Sequence, residues 1–430
     1  MKRFLTEKLI EWKSKTNRKP LILWGARQVG KTWLMKDFGQ HFYKDTVYVS
    51  FYNNKKMTAL FEEDYDPVRI IEALEIKLHV KIDPDNTLII FDEVQSAPRV
   101  VESLKYFCED AQQYHIIAAG SLLGVALHEG VSFPVGKVDE LKLYPMNFRE
   151  FLLAAGEDKL EEFVSKGNYA KINEFSERYI ELLKSYYIVG GMPEVLKIYL
   201  ESHDFSLVRE QQLLILSQYE GDFGKHIGER ELPRTRMVWA AVPVQLAKEN
   251  RKFFFGNVKP GARQKDFEIS IEWLCDAGLL YKVNKVSKPA MPLKAYVDFG
   301  AFKLFMSDIG LLCAMSELDT DSVLTGNNIF VEFKGALTEQ FVLQQLISDT
   351  GFTPYYYAGE KSVYETDFLL QKGKDIIPVE VKAEENLKSK SLRAYVDKFE
   401  PSDAIRISMS GYRNQEWMRN LPLWGFFKLI

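Results

Sequence analysis

The residues with the clearest chemical meaning form the octapeptide Gly25-Ala26-Arg27-Gln28-Val29-Gly30-Lys31-Thr32, which follows the apolar run Leu21-Ile22-Leu23-Trp24. Trp33 then begins a helix pattern. Two glycines let backbone N–H groups turn toward phosphate, and the helix N-terminus adds partial positive charge. In such a loop Lys31 would reach the β and γ oxygens and the Thr32 hydroxyl would bind magnesium. The spacing predicts binding of ATP or GTP; the alternative is a glycine-rich turn with a surface lysine.

A second pair of residues separates nucleotide binding from hydrolysis. Asp92 and Glu93 follow the apolar run Leu88-Ile89-Ile90-Phe91, which is preceded by the turn pattern Asp83-Pro84-Asp85-Asn86. Such a run predicts a buried parallel strand, with Asp92 at its carboxyl end where a carboxylate can organise magnesium. Glu93 can orient the water that attacks a γ-phosphate, so the pair favours hydrolysis. The alternative is an acidic pair that caps a helix after an ordinary strand.

Three further segments complete a predicted sheet. Thr46–Phe51 lies between the two motifs and is expected to be an extra strand inserted between the phosphate-loop strand and the Asp-Glu strand. His115–Ser121 predicts another strand and Glu140–Met146 a fifth, after which Asn147 begins a helix. We therefore expect a five-stranded, doubly wound parallel sheet. Sheets of this kind bind ligands at the carboxyl ends of their strands.

This arrangement resembles the additional-strand class of P-loop ATPases, in the broad AAA sense. In that class a polar side chain on the strand predicted over His115–Ser121 senses the γ-phosphate, and Ser121 is the matching residue. The resemblance implies ATP and Mg²⁺ as cofactors. It assigns phosphate contacts to Gly25–Thr32, metal binding to Thr32 and Asp92, and catalytic roles to Lys31, Asp92, Glu93 and Ser121.

Length, charge and cysteine usage narrow the class of protein. The 430 residues exceed the usual size of one core, so two or three domains are expected. A net charge of -4 excludes a protein that coats nucleic acid over its whole surface, but it allows a local basic patch. Cys108, Cys275 and Cys313 lack metal or disulfide spacing, so a reducing cytoplasm is expected. No export signal or membrane span is expected, because the longest apolar stretch, Ile116–Leu127, is too short.

Helical patterns dominate from Phe148 to about Leu216 and are interrupted at Gly190-Gly191-Met192-Pro193-Glu194. Paired glycines and a proline must break a helix. The apolar run Lys184–Val189 before them is expected to be buried. The segment is either a lid over the nucleotide or a packing loop between domains.

The stretch from Pro243 to Asp298 is locally basic. Its order of a helix, the turn Asn257–Ala262, the helix Arg263–Ala277 and a hairpin through Pro289 and Pro292 is typical of a winged helix-turn-helix. Such a module either binds DNA or packs against protein, since a basic excess alone does not decide between these roles. Its cations are Lys248, Arg251, Lys252, Lys259, Arg263, Lys265, Lys282, Lys285, Lys288 and Lys294.

The last third carries a second set of acids. Ser362–Leu370 and Ile376–Lys382 predict a hairpin, and alternation places Glu380 and Lys382 on one face. Pro378 lacks a ladder donor, so its strand is expected at an edge or a bulge. In the upstream helix from Val331 to Ser348, Glu339 lies among core positions, where a carboxylate needs a partner.

These acids resemble the PD-(D/E)XK nuclease pattern, in which a helix acid, a strand Asp and Glu-x-Lys surround magnesium. The matching residues are Glu339, Asp367, Glu380 and Lys382. The resemblance implies an α/β restriction-endonuclease-like domain. It leaves open whether that domain cleaves a phosphodiester or serves as a DNA-binding or docking scaffold with its acids in salt bridges.

Taken over nearly its full length, the chain resembles a prokaryotic family of AAA-like ATPases that join a P-loop core, a winged helix and a nuclease-like domain. The expected boundaries are 1–150 for the ATPase domain, 151–235 for a helical lid or linker, 236–300 for the winged helix and 301–430 for the nuclease-like domain. The stretches that carry the resemblance are Gly25–Thr32, Leu88–Gln95, Leu143–Phe151, Gly190–Glu194, Phe330–Glu339 and Pro378–Ala383.

The resulting hypothesis is a Mg²⁺-dependent ATPase whose nucleotide state moves a DNA-contacting C-terminal half. The alternative is a signalling or scaffold NTPase whose C-terminal domains bind a protein partner. A metabolic kinase would need an acceptor pocket, and nothing after Phe148 suggests one. The sequence is compatible with an oligomer, and Arg99, Arg149 and Arg178 are available as arginine fingers without a pattern that selects one.

Overall fold

A computed structural model describes residues 1–121, 132–248, 252–325, 328–359, 364–383 and 389–427, with the side chains of 325 and 328–332 outside the description. Its chain forms two compact units. The N-terminal unit contains Lys2–Tyr144 and Asp276–Gly278, and the C-terminal unit contains Pro145–Cys275 and Leu279–Ile430. The expected boundaries at 150, 235 and 300 stay predictions.

A parallel sheet of five strands, in the order β2-β3-β4-β1-β5, forms the centre of the N-terminal unit. The predicted parallel-sheet α/β core is therefore confirmed. Strands β3 and β4 are buried along their whole length, as expected for apolar runs covered on both faces. The strands are β1 (Leu21–Trp24), β2 (Asp45–Ser50), β3 (Thr87–Asp92), β4 (His115–Ala119) and β5 (Asp139–Lys142).

The prediction for the inserted strand is wrong. The strand between the phosphate-loop strand and the Asp-Glu strand is β4, whereas β2 lies at the sheet edge and pairs only with β3 among the described strands. The physical reason is visible in the burial pattern. Strand β2 alternates partly exposed Thr46, Tyr48 and Ser50 with buried Val47 and Val49, which suits an edge. Strand β4 is buried throughout and is apolar after its first residue, His115.

Helices of the N-terminal unit pack on this sheet around a core that includes Ile22, Val49, Phe91, Leu104 and Ile116. None of the helices that the structure describes combines the length and apolar character needed to cross a bilayer. The helices are α1 (Leu5–Ser14), α2 (Lys31–Phe42), α3 (Lys55–Thr58), α4 (Pro67–Leu78) and α5 (Pro98–Asp110).

The C-terminal unit begins with helices. Asn147, where a helix was expected to begin, caps the first of them in a reciprocal capping box with Glu150. The helices are α6 (Phe148–Ala154), α7 (Asp158–Lys166), α8 (Tyr169–Glu174), α9 (Ser176–Val189), α10 (Pro193–Ser202), α11 (Phe205–His226), α12 (Leu232–Leu246), α13 (Phe255–Val258), α14 (Glu268–Asp276), α15 (Ile309–Met315), α16 (Thr320–Thr325), α17 (Asn328–Gln345) and α18 (Lys390–Phe399).

The paired glycines after α9 are buried around the carboxylate of Asp308. Gly191 N donates to Asp308 Oδ2 at 2.6 Å, and Leu311 N donates to Asp308 Oδ1 at 3.0 Å. A Cβ on Gly190, whose φ is +72°, would lie 2.2 Å from Asp308 Oδ1. Because Asp308 lies so close, position 190 must be glycine. Within the C-terminal unit, this segment packs against the residues at the start of α15.

An eight-stranded sheet completes the C-terminal unit in the order β12-β13-β11-β10-β9-β8-β6-β7. The predicted hairpins are present as the antiparallel pairs β6–β7 and β9–β10. Ser362, Val363, Glu249 and Arg251 lie outside the described residues. The strands are β6 (Leu280–Val286), β7 (Val297–Met306), β8 (Tyr355–Tyr357), β9 (Thr366–Lys372), β10 (Asp375–Lys382), β11 (Ile405–Ser408), β12 (Arg413–Asn414) and β13 (Arg419–Pro422).

Two local expectations for this unit need correction. The helix expected over Arg263–Ala277 is a 3-10 turn, Gln264–Asp266, followed by α14, and the β6–β7 hairpin is hydrogen-bonded into the large sheet. Strand β10 is central rather than at an edge. Its Pro378 is tolerated because pairing with β11 begins one residue later, at Val379, so that side needs no donor from the proline.

Candidate functional site

The octapeptide Gly25–Thr32 connects β1 to α2, so its backbone lies at the carboxyl end of the sheet. Gly25 has φ +150°, and a Cβ there would lie 2.4 Å from the carbonyl oxygen of Leu143. Gly30 has φ +93° at the start of α2. These two positions need glycine, as the motif predicted. Ala26 and Val29 are buried beneath the loop, whereas Arg27 is exposed and Gln28 half-buried.

Lys31 is the buried cation of this loop. Its Nζ donates to the carbonyl oxygens of Gly25 and Ala26, each at 2.8 Å. Burial lowers the pKa of Lys31 to about 8, and the nearby carboxylates of Glu93 and Asp92 oppose that shift. The ammonium is therefore held in place at the mouth of the loop, where a phosphate oxygen would meet it.

Nucleotide affinity is expected to depend on pH through Lys31. Because its pKa is lowered to about 8, the charged form is lost as pH rises through that value. The Kd for ATP should therefore rise about twofold from pH 7 to 8 and about fivefold from pH 8 to 9, in proportion to the loss of charged Lys31, and the Lys31 contribution should be flat below pH 7. Calorimetric titrations at pH 7, 8 and 9 measure this. Lys31→Arg keeps its charge throughout and should bind more weakly but without the pH dependence; an equal slope in both proteins would contradict the assignment.

Asp92, at the end of β3, is 3% exposed and accepts three hydrogen bonds. Thr32 Oγ1 donates to Asp92 Oδ2 at 2.6 Å, and the backbone N–H of Glu93 donates to Oδ1 at 2.9 Å. The third donor, Tyr48 Oη, reaches Oδ2 at 3.0 Å. The predicted pair Thr32 and Asp92 is thus in direct contact, and both offer oxygen atoms of the kind that magnesium prefers.

Tyr48 is a residue that sequence reasoning missed. Burial, reinforced by the Asp92 carboxylate, raises the pKa of Tyr48 to about 12, so its hydroxyl stays a donor. Lys36 Nζ lies 3.7 Å from the centre of its ring. The available signal was the register of polar residues in β2, because Ser50 pairs with Asp92 and Tyr48 faces the same side two residues earlier.

Glu93 follows in a left-handed conformation, with φ +55°. Its carboxylate accepts a hydrogen bond from Gln95 Nε2. The strained backbone turns Glu93 out of the strand direction, beside Asp92 and half-buried. Two carboxylates with different surroundings therefore stand at one strand end.

Ser121 lies two residues beyond the end of β4, next to Gly120. Both line a cavity of about 290 Å³ together with Gly25 and segments of the same unit. Ser121 is thus at the carboxyl edge of the sheet near the phosphate loop. The remaining lining residues are Trp24, Glu140, Leu141, Lys142, Asp276 and Gly278.

Arg3 is a second residue that sequence reasoning missed. It is 5% exposed, and its guanidinium donates to the carbonyl oxygens of Val29, at 2.9 Å, and Tyr144, at 2.6 Å. One rigid side chain thereby ties the phosphate loop to the segment after β5. No motif could have shown this, because the contacts join residues far apart in the sequence.

Replacing Arg3 with alanine is expected to destabilise the N-terminal unit by about 2–3 kcal/mol, because two carbonyl groups lose a charged donor. Urea unfolding would measure the loss, and ADP titration should show weaker binding. Lys2→Ala, at an exposed neighbouring position, is the matched control. Equal stability of the two variants would show that the Arg3 contacts contribute nothing.

In the C-terminal unit, three of the four residues that match the nuclease pattern lie together, namely Asp367, Glu380 and Lys382. Lys382 Nζ is 3.3 Å from Glu380 Oε1, and Asp367 Oδ2 accepts the backbone N–H of Val381 at 2.7 Å. Burial raises the pKa of Glu380, while Lys382 opposes that shift and Asp367 adds to it. The predicted shared face of β10 is therefore present.

Glu339 has a cationic partner that was not predicted. Lys303 Nζ, from β7, is 3.5 Å from Glu339 Oε2, and both side chains are 1% exposed. Lys303 sits inside the apolar run Phe302–Met306, which gave no sign of a charge partner. The buried helix acid thus has the partner that its position required.

Arg406 adds a further cation to this region. It is fully buried on β11, directly opposite Glu380 in the strand register. Its Nε donates to Asn420 Oδ1 at 2.8 Å and its Nη1 to Ser389 Oγ at 3.2 Å. Among the described residues, no group of three or more His, Cys, Asp or Glu side chains is placed to hold a metal ion.

The three arginines that were considered as arginine fingers all form ion pairs or hydrogen bonds within the protein. Arg149 pairs with Glu161 at 2.7 Å and Asp349 at 3.0 Å, within the C-terminal unit. Arg178 pairs with Glu157 and Glu181. Arg99 Nε donates to the carbonyl oxygen of Phe61 at 2.7 Å. These contacts give each arginine a local structural partner.

Comparisons with known families agree with the N-terminal geometry. Residues 17–152 match a family described as an AAA domain. Residues 180–322 and 334–424 match two families described only as domains of unknown function, DUF8612 and DUF4143. The comparison with curated proteins finds no match.

Solved structures that match this chain include the Walker-type ATPase PABY2304 of Pyrococcus abyssi. The identity is 14%, the match covers 72% of this chain and 94% of that chain, and the TM-score is 0.43. The Aeropyrum pernix Orc1 protein in complex with DNA has 12% identity, coverage of 74% and 92%, and a TM-score of 0.27. A RuvB variant of Thermotoga maritima has 14% identity, coverage of 68% and 92%, and a TM-score of 0.28.

The family match and the loop, strand and carboxylate geometry together define the class of the N-terminal unit. That class is similar to the AAA-like P-loop ATPases, since residues 17–152 match the AAA-domain family. The match begins at residue 17, so Arg3 and α1 lie outside it.

Proposed function

We propose that the N-terminal unit binds ATP and hydrolyses it with Mg²⁺. The observation that carries the proposal is the contact of Thr32 Oγ1 with Asp92 Oδ2 at 2.6 Å, with Glu93 beside it on the same strand end. A loop that only bound phosphate would not need both carboxylates at this place.

The residues present fit a magnesium ion. Mg²⁺ is usually held by one or two protein oxygens together with water and substrate phosphates, which Thr32 and Asp92 can provide. The backbone N–H of Glu93, bonded to Asp92 Oδ1 at 2.9 Å, holds that carboxylate in a fixed orientation. When bound with nucleotide, the ion would supply charge neutralisation at the phosphates.

The chain's own residues have separable roles in the proposed reaction. Lys31 and the backbone N–H groups of Gly25–Thr32 hold the phosphates, and Ser121 contacts the γ-phosphate. Glu93 accepts a proton from water as the water oxygen bonds to the γ-phosphorus. The bond from that phosphorus to the β–γ bridging oxygen breaks, and ADP and phosphate result.

The test is phosphate release from ATP by the full chain, with Mg²⁺ and with excess EDTA. Hydrolysis is expected only with the metal ion, and GTP in a parallel reaction defines the base preference. Absence of Mg²⁺-dependent hydrolysis of both nucleotides, with and without added DNA, would overturn the proposal.

We also propose that the basic segment of the C-terminal unit contacts DNA. The proposal is supported by the succession of α12, α14 and the β6–β7 hairpin along this segment and by the exposure of Lys259, Arg263 and Lys265. Phosphate contacts by such residues release counterions and make binding salt-dependent. The alternative is that this segment binds a protein partner, which predicts no salt-dependent binding of DNA.

Removing two of these cations is expected to change the salt dependence of DNA binding. In Lys259→Gln/Lys265→Gln the slope of log K against log salt should become shallower by about 2, if each lysine contacts one phosphate. Fluorescence anisotropy with labelled duplex between 50 and 200 mM salt, about the range where such contacts matter, measures the slope. Lys159→Gln/Lys166→Gln removes the same charge from α7 as a control, and equal slopes in all proteins would contradict the DNA surface.

For the acidic site of the C-terminal unit we propose binding or docking without cleavage. Lys382 and Lys303 pair with Glu380 and Glu339, and buried Arg406 lies opposite Glu380. Fixed cations beside acids disfavour a divalent cation. Mg²⁺ or Mn²⁺ with mixed DNA and RNA should therefore yield no cleavage; cleavage that Glu380→Ala and Lys382→Ala both abolish would establish a nuclease instead.

A further inference from the structure

Gln95 stands between Glu93 and the end of β4 in the N-terminal unit. The 3-10 turn Val94–Ser96 follows Glu93 and brings the side chains of residues 93 and 95 together. Gln95 Nε2 donates to Glu93 Oε2. Since a carboxylate cannot donate, this bond fixes which end of the amide faces Glu93.

The other end of the amide, Oε1, is a hydrogen-bond acceptor. Gln95 Oε1 is buried and has no hydrogen-bond partner among the residues that the structure describes. A buried amide oxygen without a partner is unfavourable, so such atoms usually receive a bond from water or ligand. The amide thus presents one acceptor beside Glu93.

Gly120 shows that the end of β4 leaves room for this side chain. A Cβ on Gly120 would lie 2.4 Å from Gln95 Oε1. The backbone of Gly120 is not in the left-handed region, so space rather than conformation requires glycine here. The residue before Ser121 is therefore small because Gln95 lies against it.

We infer that Gln95 is a positioning residue for hydrolysis, with Nε2 holding the Glu93 carboxylate and Oε1 accepting a hydrogen bond from the attacking water. The inference rests on the proposed ATPase function. A water molecule has two protons, and donation of one to Glu93 and the other to Gln95 leaves a lone pair directed to the γ-phosphorus. Two acceptors at fixed positions thereby orient the nucleophile before the reaction.

The test compares Gln95→Leu with Ser96→Ala, an exposed neighbour that serves as the control. In Gln95→Leu, kcat for ATP is expected to fall about 10- to 100-fold, because the water loses its second acceptor. The Kd for a fluorescent ADP analogue and the unfolding temperature should match those of the wild type. Ser96→Ala should match it in all three measurements.

A second variant separates positioning from packing. Gly120→Ala should displace the amide and lower kcat to the level of Gln95→Leu, while the same change in a Gln95→Ala background should cause no further fall. In a Glu93→Gln background, Gln95→Leu should also add little, because both act on one water.

The outcomes of these experiments distinguish the role of Gln95 from the proposed ATPase function on which it rests. An active wild type with unchanged kcat in Gln95→Leu overturns the role of Gln95 and leaves the ATPase intact. A fall in kcat matched by loss of ADP affinity or of stability assigns Gln95 to folding and also overturns it. A wild type without hydrolysis overturns the function itself, and the inference with it.

Discussion

A Glu93→Gln protein is expected to bind ATP like the wild type but to hydrolyse it about 100-fold or more slowly, because an amide cannot take the proton of the attacking water. The change preserves shape and the position beside Asp92, so binding should be spared. Single-turnover hydrolysis and ATP titration measure the two effects separately. Unchanged hydrolysis would remove Glu93 from the reaction.

Lys31→Ala is the matched variant for binding, since it removes the ammonium that the loop carbonyls hold. Nucleotide affinity should fall sharply in that protein, whereas in Glu93→Gln it should not. The pair therefore separates phosphate binding from water activation. Equal defects in both steps for both variants would indicate a loss of folding instead.

Asp308→Ala is expected to destabilise the C-terminal unit by about 3–5 kcal/mol, because buried donors lose their acceptor. Asp308 is fully buried and accepts from Gly191 N, Leu311 N and Gln344 Nε2. Burial raises the pKa of its carboxyl, and those hydrogen bonds oppose the shift. Urea unfolding followed by tryptophan fluorescence measures the loss.

Asp204→Ala provides the control for Asp308, because Asp204 also caps a helix but is exposed. Its side chain accepts from Ser206 N at 2.7 Å, and losing that cap should cost only about 1 kcal/mol. Similar losses in the two variants would show that Asp308 acts as a helix cap alone. A larger loss for Asp308 would establish it as the joint between the glycine pair and α15.

Local sequence patterns were sufficient to predict those parts of the molecule whose structure depends on a single segment. These parts are the octapeptide, the apolar strand before Asp92 and the helix that begins after Asn147, and each depends on neighbours within a few residues. The parallel-sheet core followed from apolar runs of strand length, and the AAA-domain match at residues 17–152 agrees with it. Both glycines of the loop have the backbone angles that the motif demands.

The sequence did not show which strands lie next to one another in each sheet. The inserted strand was assigned to Thr46–Phe51, although β4 occupies that position, because order along the chain does not fix order across a sheet. The edge expected for Pro378 failed for the same reason. Each error concerns pairing between segments that are distant in the chain.

The sequence by itself determined a phosphate loop, an adjacent carboxylate pair and the elements that carry them, since these are short-range patterns. Only the tertiary structure decided which distant side chains are the partners of the buried charged groups and carbonyls. It brought Tyr48 to Asp92, Arg3 to the Val29 carbonyl of the loop, Lys303 to Glu339 and Arg406 opposite Glu380. Buried charges and carbonyls need partners, but any of many distant residues can supply them, and packing alone selects the one that does.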